Sequence, residues 1–377
     1  MTETKFYDFD PRPAGRYHRR ARAHAPCIVC VPAKNEARRL PGFLSAMTMA
    51  FRELARAGDG PAGALVVALD GCTDDSREIL EQQRRHFPVD IHVVELPAHP
   101  EPHAGRVRRA ALEHGARLFP VEPSLLFTTD ADTWVDRNWL VATRALMGEV
   151  DVVCGDIWRD DNQGNVIRAP HEHHYHALHR ARRRIDPVAF DSPDPHPQGF
   201  GASIAMRRDV YHAIGGCPSV PSDEDTSMVL RARQRGYRVR QDRSVRVLTS
   251  SRRTGRARGG LAEALVREDA DARAGRPFLI VDPRRYLDVY RQSAALRTGF
   301  ARNEAEQVER AVSDLRLDRL TVEEAWRTAR SADAFVSQVL PEPDFTPDLP
   351  LHTARAILAE EIGLGGQSLA AARMEAV

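Results

Sequence analysis

Lysine is almost absent: of the 54 basic residues only Lys5 and Lys34 are not arginine. That leaves a chain rich in planar guanidinium forks, which suit phosphate and carboxylate. Net charge is missing too. A formal balance of +1 argues against bulk electrostatic attachment to nucleic acid. Cysteine is sparse, with five residues at 27, 30, 72, 154 and 217. Cys27 and Cys30 have C-x-x-C spacing, but no second pair stands at zinc-site distance, so they are expected to be buried thiols. An odd count without a disulfide framework suits a reducing, cytoplasmic setting. No apolar run approaches the ~20 residues needed to cross a bilayer, and the polar, Arg-rich start has no apolar core of a leader peptide. A soluble, unexported protein is expected.

What is present is an alternation. The 377 residues exceed one ordinary domain. From Cys27, apolar runs such as "CIVCVPA", "GALVVALD", "IHVVEL", "SLLFTTDAD" and "DVVCGDIW" read as strands. Between them lie stretches with apolar residues at helical spacing, Leu40, Phe43, Leu44, Met47, Phe51 and Leu54 being the clearest. Thr73 is placed to cap the second helix. Continuous apolar strands interleaved with amphipathic helices predict an α/β fold, a mixed, mostly parallel sheet covered on both faces. Residues 1–25 read as a polar arm, 26–255 as the α/β domain and 256–377 as a helical extension. In that extension "LTVEEAWRTARSADAFVSQVL" reads as one helix, with Thr321 and Glu324 at capping-box spacing.

Open sheets of this kind bind ligands beyond the carboxyl ends of their strands. Those ends carry Lys34-Asn35-Glu36, Asp70-Gly71-Cys72 and Asp130-Ala131-Asp132. Two carboxylates one residue apart repel unless a cation joins them or one is protonated. On spacing alone, the D-x-D segment is either a cation site or an acidic turn. Asp70 is either a nucleoside contact or a helix-capping turn, and Glu224-Asp225 either reacting groups or favourable charge at a helix N-terminus. The histidines at 171, 173, 174, 176 and 179 have no fixed ligand geometry and are expected on a partly exposed, acceptor-side helix rather than around a metal.

The ordered set "VPAKNE", "LDGCTDDS", "GRVRRAALEHGA", "TTDADT", "GFGASIAMRRDVYHAIGG" and "DEDTSMVLRARQRGYRV" resembles a family 2 glycosyltransferase with the GT-A (Rossmann-like) fold, over about residues 26–255. The resemblance implies a nucleotide-sugar donor, with a UDP-sugar favoured, and a divalent metal, Mn²⁺ or Mg²⁺. It implies donor contacts from Pro32, Ala33, Glu36, Asp70, Gly105, Arg106 and Asp130. Asp132 is the implied principal metal ligand, with Asp130 supporting it. Glu224 and Asp225 match the catalytic acidic pair, in which the aspartate is the base of an inverting transfer. The first aspartate and the serine of the family's second motif are here Leu69 and Cys72.

Two features common among relatives are missing. No histidine follows "VRVLTS" near residue 250 to complete a metal site, and the Q-x-x-R-W segment of processive enzymes is absent. In its place stands "SSRRTGRARGG", from which Arg252 and Arg253 are expected to close over the diphosphate. A single-addition enzyme is expected, acting on a small-molecule, lipid-linked or glycan acceptor, with the helical tail shaping an acceptor pocket or a homodimer interface. The alternatives are a nucleotidyltransferase, a retaining GT-A transferase, and a non-catalytic nucleotide-sugar-binding protein. The first would need a Gly-rich basic loop after strand 1, and "VPAKNEARRL" has no glycine.

Overall fold

The computed structural model describes residues 25–58, 63–101, 103–119, 124–160, 166–167, 169–255, 260–315, 317–340 and 343–363. The expected arm at 1–25 lies, but for Ala25, outside the described residues. In chain order the first part runs β1 (Cys27–Ala33), α1 (Leu40–Arg56), β2 (Gly63–Asp70), α2 (Ser76–Gln83), β3 (Asp90–Leu96), α3 (Ala104–Leu118) and β4 (Leu125–Thr128). It continues with β5 (Thr133–Val135), α4 (Trp139–Leu146), β6 (Val152–Asp160), β7 (Val166–Ile167), α5 (Pro170–Ile185), β8 (Ile204–Arg207), α6 (Arg208–Ala213), α7 (Glu224–Gln234) and β9 (Val239–Thr249).

These strands form one sheet in the order β3-β2-β1-β4-β8-β6-β9-β5, with β7 beside β6. β1 to β4 are parallel neighbours, while β8 runs antiparallel between β4 and β6. The sheet is thus mixed and mostly parallel, with helices on both faces, as expected of the GT-A class. Side-chain alternation divides the core. Val29 and Val31 of β1 pack beneath α1 and α4, whereas Ile28 and Cys30 pack beneath α3 and α7. Cys27 and Cys30 are fully buried, and burial pushes the Cys27 thiol up to about 12. They are core residues, as expected.

Beyond the sheet come α8 (Leu261–Arg273), β10 (Leu279–Ile280), α9 (Pro283–Arg302), α10 (Ala305–Leu315), α11 (Arg319–Thr328), α12 (Ala332–Val339), β11 (Leu349–Pro350) and α13 (Leu351–Glu361). They hold their own apolar cluster, including Leu296, Val312, Val322, Phe335 and Val339. Three local expectations need correction. The 319–339 stretch is two helices; Asp318 caps the first, its carboxylate accepting from Thr321 N–H at 2.9 Å. A cap of this kind satisfies an otherwise orphaned donor. Thr73 does not cap α2, and the turn before that helix is held by Asp74, which accepts from Ser76 N–H and Oγ–H. The apolar run entering the D-x-D segment ends at Thr128, and a short strand, β5, follows it against β9.

Candidate active site

The register brings the chemistry to one edge. Thr128, the last residue of β4, lies opposite Ile204, the first of β8. Because β8 is antiparallel, the turn before it, Gly201–Ser203, emerges beside the ends of β1, β2 and β4. Trp139 anchors that turn from the core, donating from Nε1 to Ser203 Oγ at 3.0 Å. The N-terminus of α7 then approaches the same point, where Gly201 N–H donates to Asp225 Oδ2 at 2.5 Å.

The first two loops are tied to each other. Asn35 takes a left-handed φ of 52°, a conformation asparagine tolerates better than most residues. Its Oδ1 accepts from Thr73 N–H at 2.7 Å, and Ala37 N–H donates to Asp74 Oδ2 at 2.9 Å. Cys72, in place of the family's serine, accepts at its sulfur from Asn35 N–H at 3.2 Å. Leu69 is simply buried in the core. Pro32 and Ala33 end β1 directly above this pair of loops.

Asp70 is buried between two cations. Lys34 Nζ lies 3.0 Å from Oδ2 and Arg106 Nη1 2.7 Å from Oδ1. Arg106 also donates to Pro97 O, and its backbone is held by the His103 cap of α3. Gly105 has a packing reason of its own. A Cβ there would lie 2.4 Å from Val220 O, so the 218–220 segment requires glycine at this close approach.

Arg108, which the motif reading passed over, is the hub. It is 4% exposed. Its Nε donates to Glu224 Oε1 at 3.0 Å, Nη1 to Thr128 Oγ1 at 2.6 Å and Gly201 O at 3.2 Å, and Nη2 to Asp130 Oδ1 at 2.9 Å. Burial pulls its pKa down, but Asp130, Glu224 and Asp225 outweigh that and raise it. The signal was present in the sequence: Arg108 interrupts the apolar stripe Val107, Ala111, Leu112, Gly115 of α3. A charge on a core face demands partners.

Arg252 plays a matching part at the rim. Its two terminal nitrogens grip both oxygens of Glu36 at 2.8 and 2.7 Å, and Nη2 also lies 3.0 Å from Asp132 Oδ2. Arg253 points elsewhere, to Asp269 on α8, and the structure does not bring it to the cluster. Asp132 has its pKa raised to about 6; burial is the main cause, with Asp130 and Glu36 adding to it and Arg252 opposing. Each carboxylate of the D-x-D segment therefore has its own guanidinium, Arg108 for Asp130 and Arg252 for Asp132.

The donor set Glu36, Asp130 and Asp132 offers only carboxylate oxygens, which suits a hard divalent cation. Among the described residues no group of three His, Cys, Asp or Glu side chains is gathered to hold one, and Arg252 is paired with both Glu36 and Asp132. The histidines of α5 make contacts of their own. His174 and His176 are buried, His171 stacks on Phe278 with centroids 4.5 Å apart, and His176 Nε2 is 3.7 Å from Asp156. His171, His173 and His179 stay at least partly exposed, so the helix is partly exposed, as expected.

Acidic and guanidinium groups thus converge at one edge of a mixed α/β sheet. Residues 28–215 match the family model described as Glycosyl transferase family 2, and the chain belongs to that family: it is a glycosyltransferase. No curated protein matches it significantly. Among solved structures it is similar to TarS of S. aureus in complex with UDP-GlcNAc, at 16% identity, 83% of this chain, 89% of that one and a TM-score of 0.45. It is also similar to the mannosyltransferase PcManGT of Pyrobaculum calidifontis in complex with GDP-Man and Mn²⁺, at 16% identity, 89% of both chains and a TM-score of 0.44. A third is glucosyl-3-phosphoglycerate synthase of Mycobacterium tuberculosis with phosphoglyceric acid, at 15% identity, 71% of this chain, 88% of that one and a TM-score of 0.37. No helix among the described residues is long and apolar enough to cross a membrane.

Proposed function

We propose that the protein is an inverting, single-addition glycosyltransferase that uses a nucleoside-diphosphate sugar, with Asp225 as base. The observation that carries this reading is the bond from Gly201 N–H to Asp225 Oδ2 beside the Arg108 hub. It sets a partly exposed carboxylate facing the D-x-D edge, with its second oxygen held by Thr226 N–H at 2.7 Å. Asp223, just before the helix, adopts a left-handed φ of 61°. Strain of that kind in a non-glycine residue is characteristic of functional turns.

On this reading Asp225 takes the proton from an acceptor hydroxyl as its oxygen attacks the anomeric carbon. The new carbon–oxygen bond forms on the face opposite the leaving group. The old bond breaks with its electron pair going to the diphosphate oxygen. A divalent ion held by Asp132, with Asp130 and Glu36 at hand, would supply charge compensation for that oxygen. Asp70, Lys34 and Arg106 frame the nucleoside end. Glu224, buried against Arg108, acts as a positioning residue that holds α7 and the D-x-D segment in one piece. Arg252 releases Glu36 and Asp132 when the donor enters and turns its guanidinium to the diphosphate, a bidentate match.

Calorimetry with UDP, GDP and TDP, each with and without Mn²⁺, tests the reading. Metal-dependent binding of one nucleoside diphosphate is expected, with UDP favoured. No binding of any of the three sinks it. Product stereochemistry by NMR separates inverting from retaining transfer.

A further inference from the structure

A cavity of about 390 Å³ lies away from the donor edge, in the seam between the sheet domain and the C-terminal helices. α5 contributes Tyr175, His179 and Arg182, α7 contributes Arg233, and α9 and α12 close the far side. None of Glu36, Asp70, Asp130, Asp132, Asp225 or Arg252 lines it. It is a separate compartment, and charged side chains stand on its wall among apolar ones such as Leu178, Val239 and Val336.

The charges around the cavity are used unequally. The carboxylates are engaged: Asp186 accepts from Arg297 at 2.7 and 3.0 Å, Asp333 pairs with the same arginine, and Asp191 pairs with Arg182. Some of the donors are not. Arg233 Nη2 meets only the neutral amide oxygen of Gln241 at 3.1 Å, and among the described residues no carboxylate forms an ion pair with it. Arg182 Nε and His179 Nε2 are buried without a hydrogen-bond partner. Leaving such groups unpaired is costly, so several at one wall point to a missing acceptor.

We propose that this cavity binds a small organic oxyanion with a hydroxylated body, a sugar phosphate or a sugar acid. The oxyanion end meets Arg233, Arg182 and His179, whose forks and ring nitrogen supply donors without needing to move. The body lies toward Tyr286 and Tyr290, whose rings stack at 6.4 Å, and toward the hydroxyls of Ser293 and Ser337. Asp186 and Asp333, held by Arg297, also line the cavity and keep lone pairs that can accept from sugar hydroxyls. Arg233 stands eight residues from Asp225 on α7, about 12 Å along the helix axis. Occupancy of the cavity therefore bears on the same rigid element that carries the proposed base.

Calorimetry on the full chain with glucose 6-phosphate, gluconate, inorganic phosphate and neutral glucose tests the proposal directly. Binding of glucose 6-phosphate or gluconate is expected, weakened about tenfold or more by Arg233→Gln, because a charged hydrogen bond is lost. The two anions identify the group preferred. Arg106→Gln, at the donor edge, leaves this binding intact. If Arg233→Gln fails to fold, Ser337→Leu narrows the cavity without removing an ion pair and gives the same loss. The proposal is overturned if neither anion binds, if glucose binds as well as they do, or if Arg106→Gln abolishes binding while Arg233→Gln does not. The assay involves no sugar transfer, so its failure is distinguishable from failure of the catalytic reading.

Discussion

Two arginines neutralise the same acidic segment from opposite situations. Arg108 rises from the middle of α3, is almost wholly buried, and joins Asp130, Thr128, Gly201 and Glu224 in one closed network. Arg252 stands on a loop past β9 and reaches Glu36 and Asp132 from the rim, with its side chain 22% exposed. A helix embedded in a core cannot move its guanidinium without disrupting packing, whereas a loop residue can trade one set of oxygens for another. The buried region is built to hold geometry and the rim region to exchange partners.

Substitutions can break that contrast. The largest effect is expected where the buried network delivers its product, the aimed carboxylate. Asp225→Asn should lower kcat about 10²–10⁴-fold while leaving nucleoside diphosphate binding by calorimetry unchanged; near-normal turnover would remove Asp225 from the mechanism. Arg108→Met comes next. It strands Glu224 and Asp130 and should destabilise the fold by about 3–5 kcal/mol in urea unfolding, taking activity with it. A loss under about 1 kcal/mol, the range of exposed pairs, would mean the hub is not structural.

Arg252→Gln should separate the two regions most clearly. Stability should change by about 1 kcal/mol or less, as for a partly solvated pair. Mn²⁺ binding without nucleotide, followed by electron paramagnetic resonance, should tighten, because no guanidinium then competes for Glu36 and Asp132. Unchanged Mn²⁺ affinity would show that Arg252 does not guard the site. The smallest effect is expected in the α5 seam. His174 has its pKa lowered to about 4 by burial, with Arg355 adding to it. The unfolded chain holds the extra proton between about pH 4 and the ordinary histidine value near 6.5, so stability is complete above that range and falls as pH drops through it. His174→Phe should flatten the decline in melting temperature between about pH 7 and pH 5; an unaltered slope would assign the decline to other groups.

How much of this was legible follows the range of the interactions. β1, β2, β3, α1 and α3 were readable because their apolar periodicity is a local property. The loops ending in Glu36, Asp70 and Asp132 were readable because strand ends in a parallel sheet share an edge. β5 was missed because three residues, Thr133–Val135, gain their strand character only by pairing with Thr249 to Val247. The burial of His174 and the stacking of His171 were missed because α5 is partly covered by elements that come about a hundred residues later, among them Phe278 and Leu287.

The sequence by itself determined the α/β class and the family to which the chain belongs, since those rest on periodicity and on motifs read along the chain. Tertiary structure decided what neutralises the acidic pair. Arg108 and Glu224 are 116 residues apart and Arg252 and Glu36 are 216 apart. No pattern within a window registers such pairings; they exist because the antiparallel β8 and the parallel β9 carry distant segments back to the edge where β1 and β4 end.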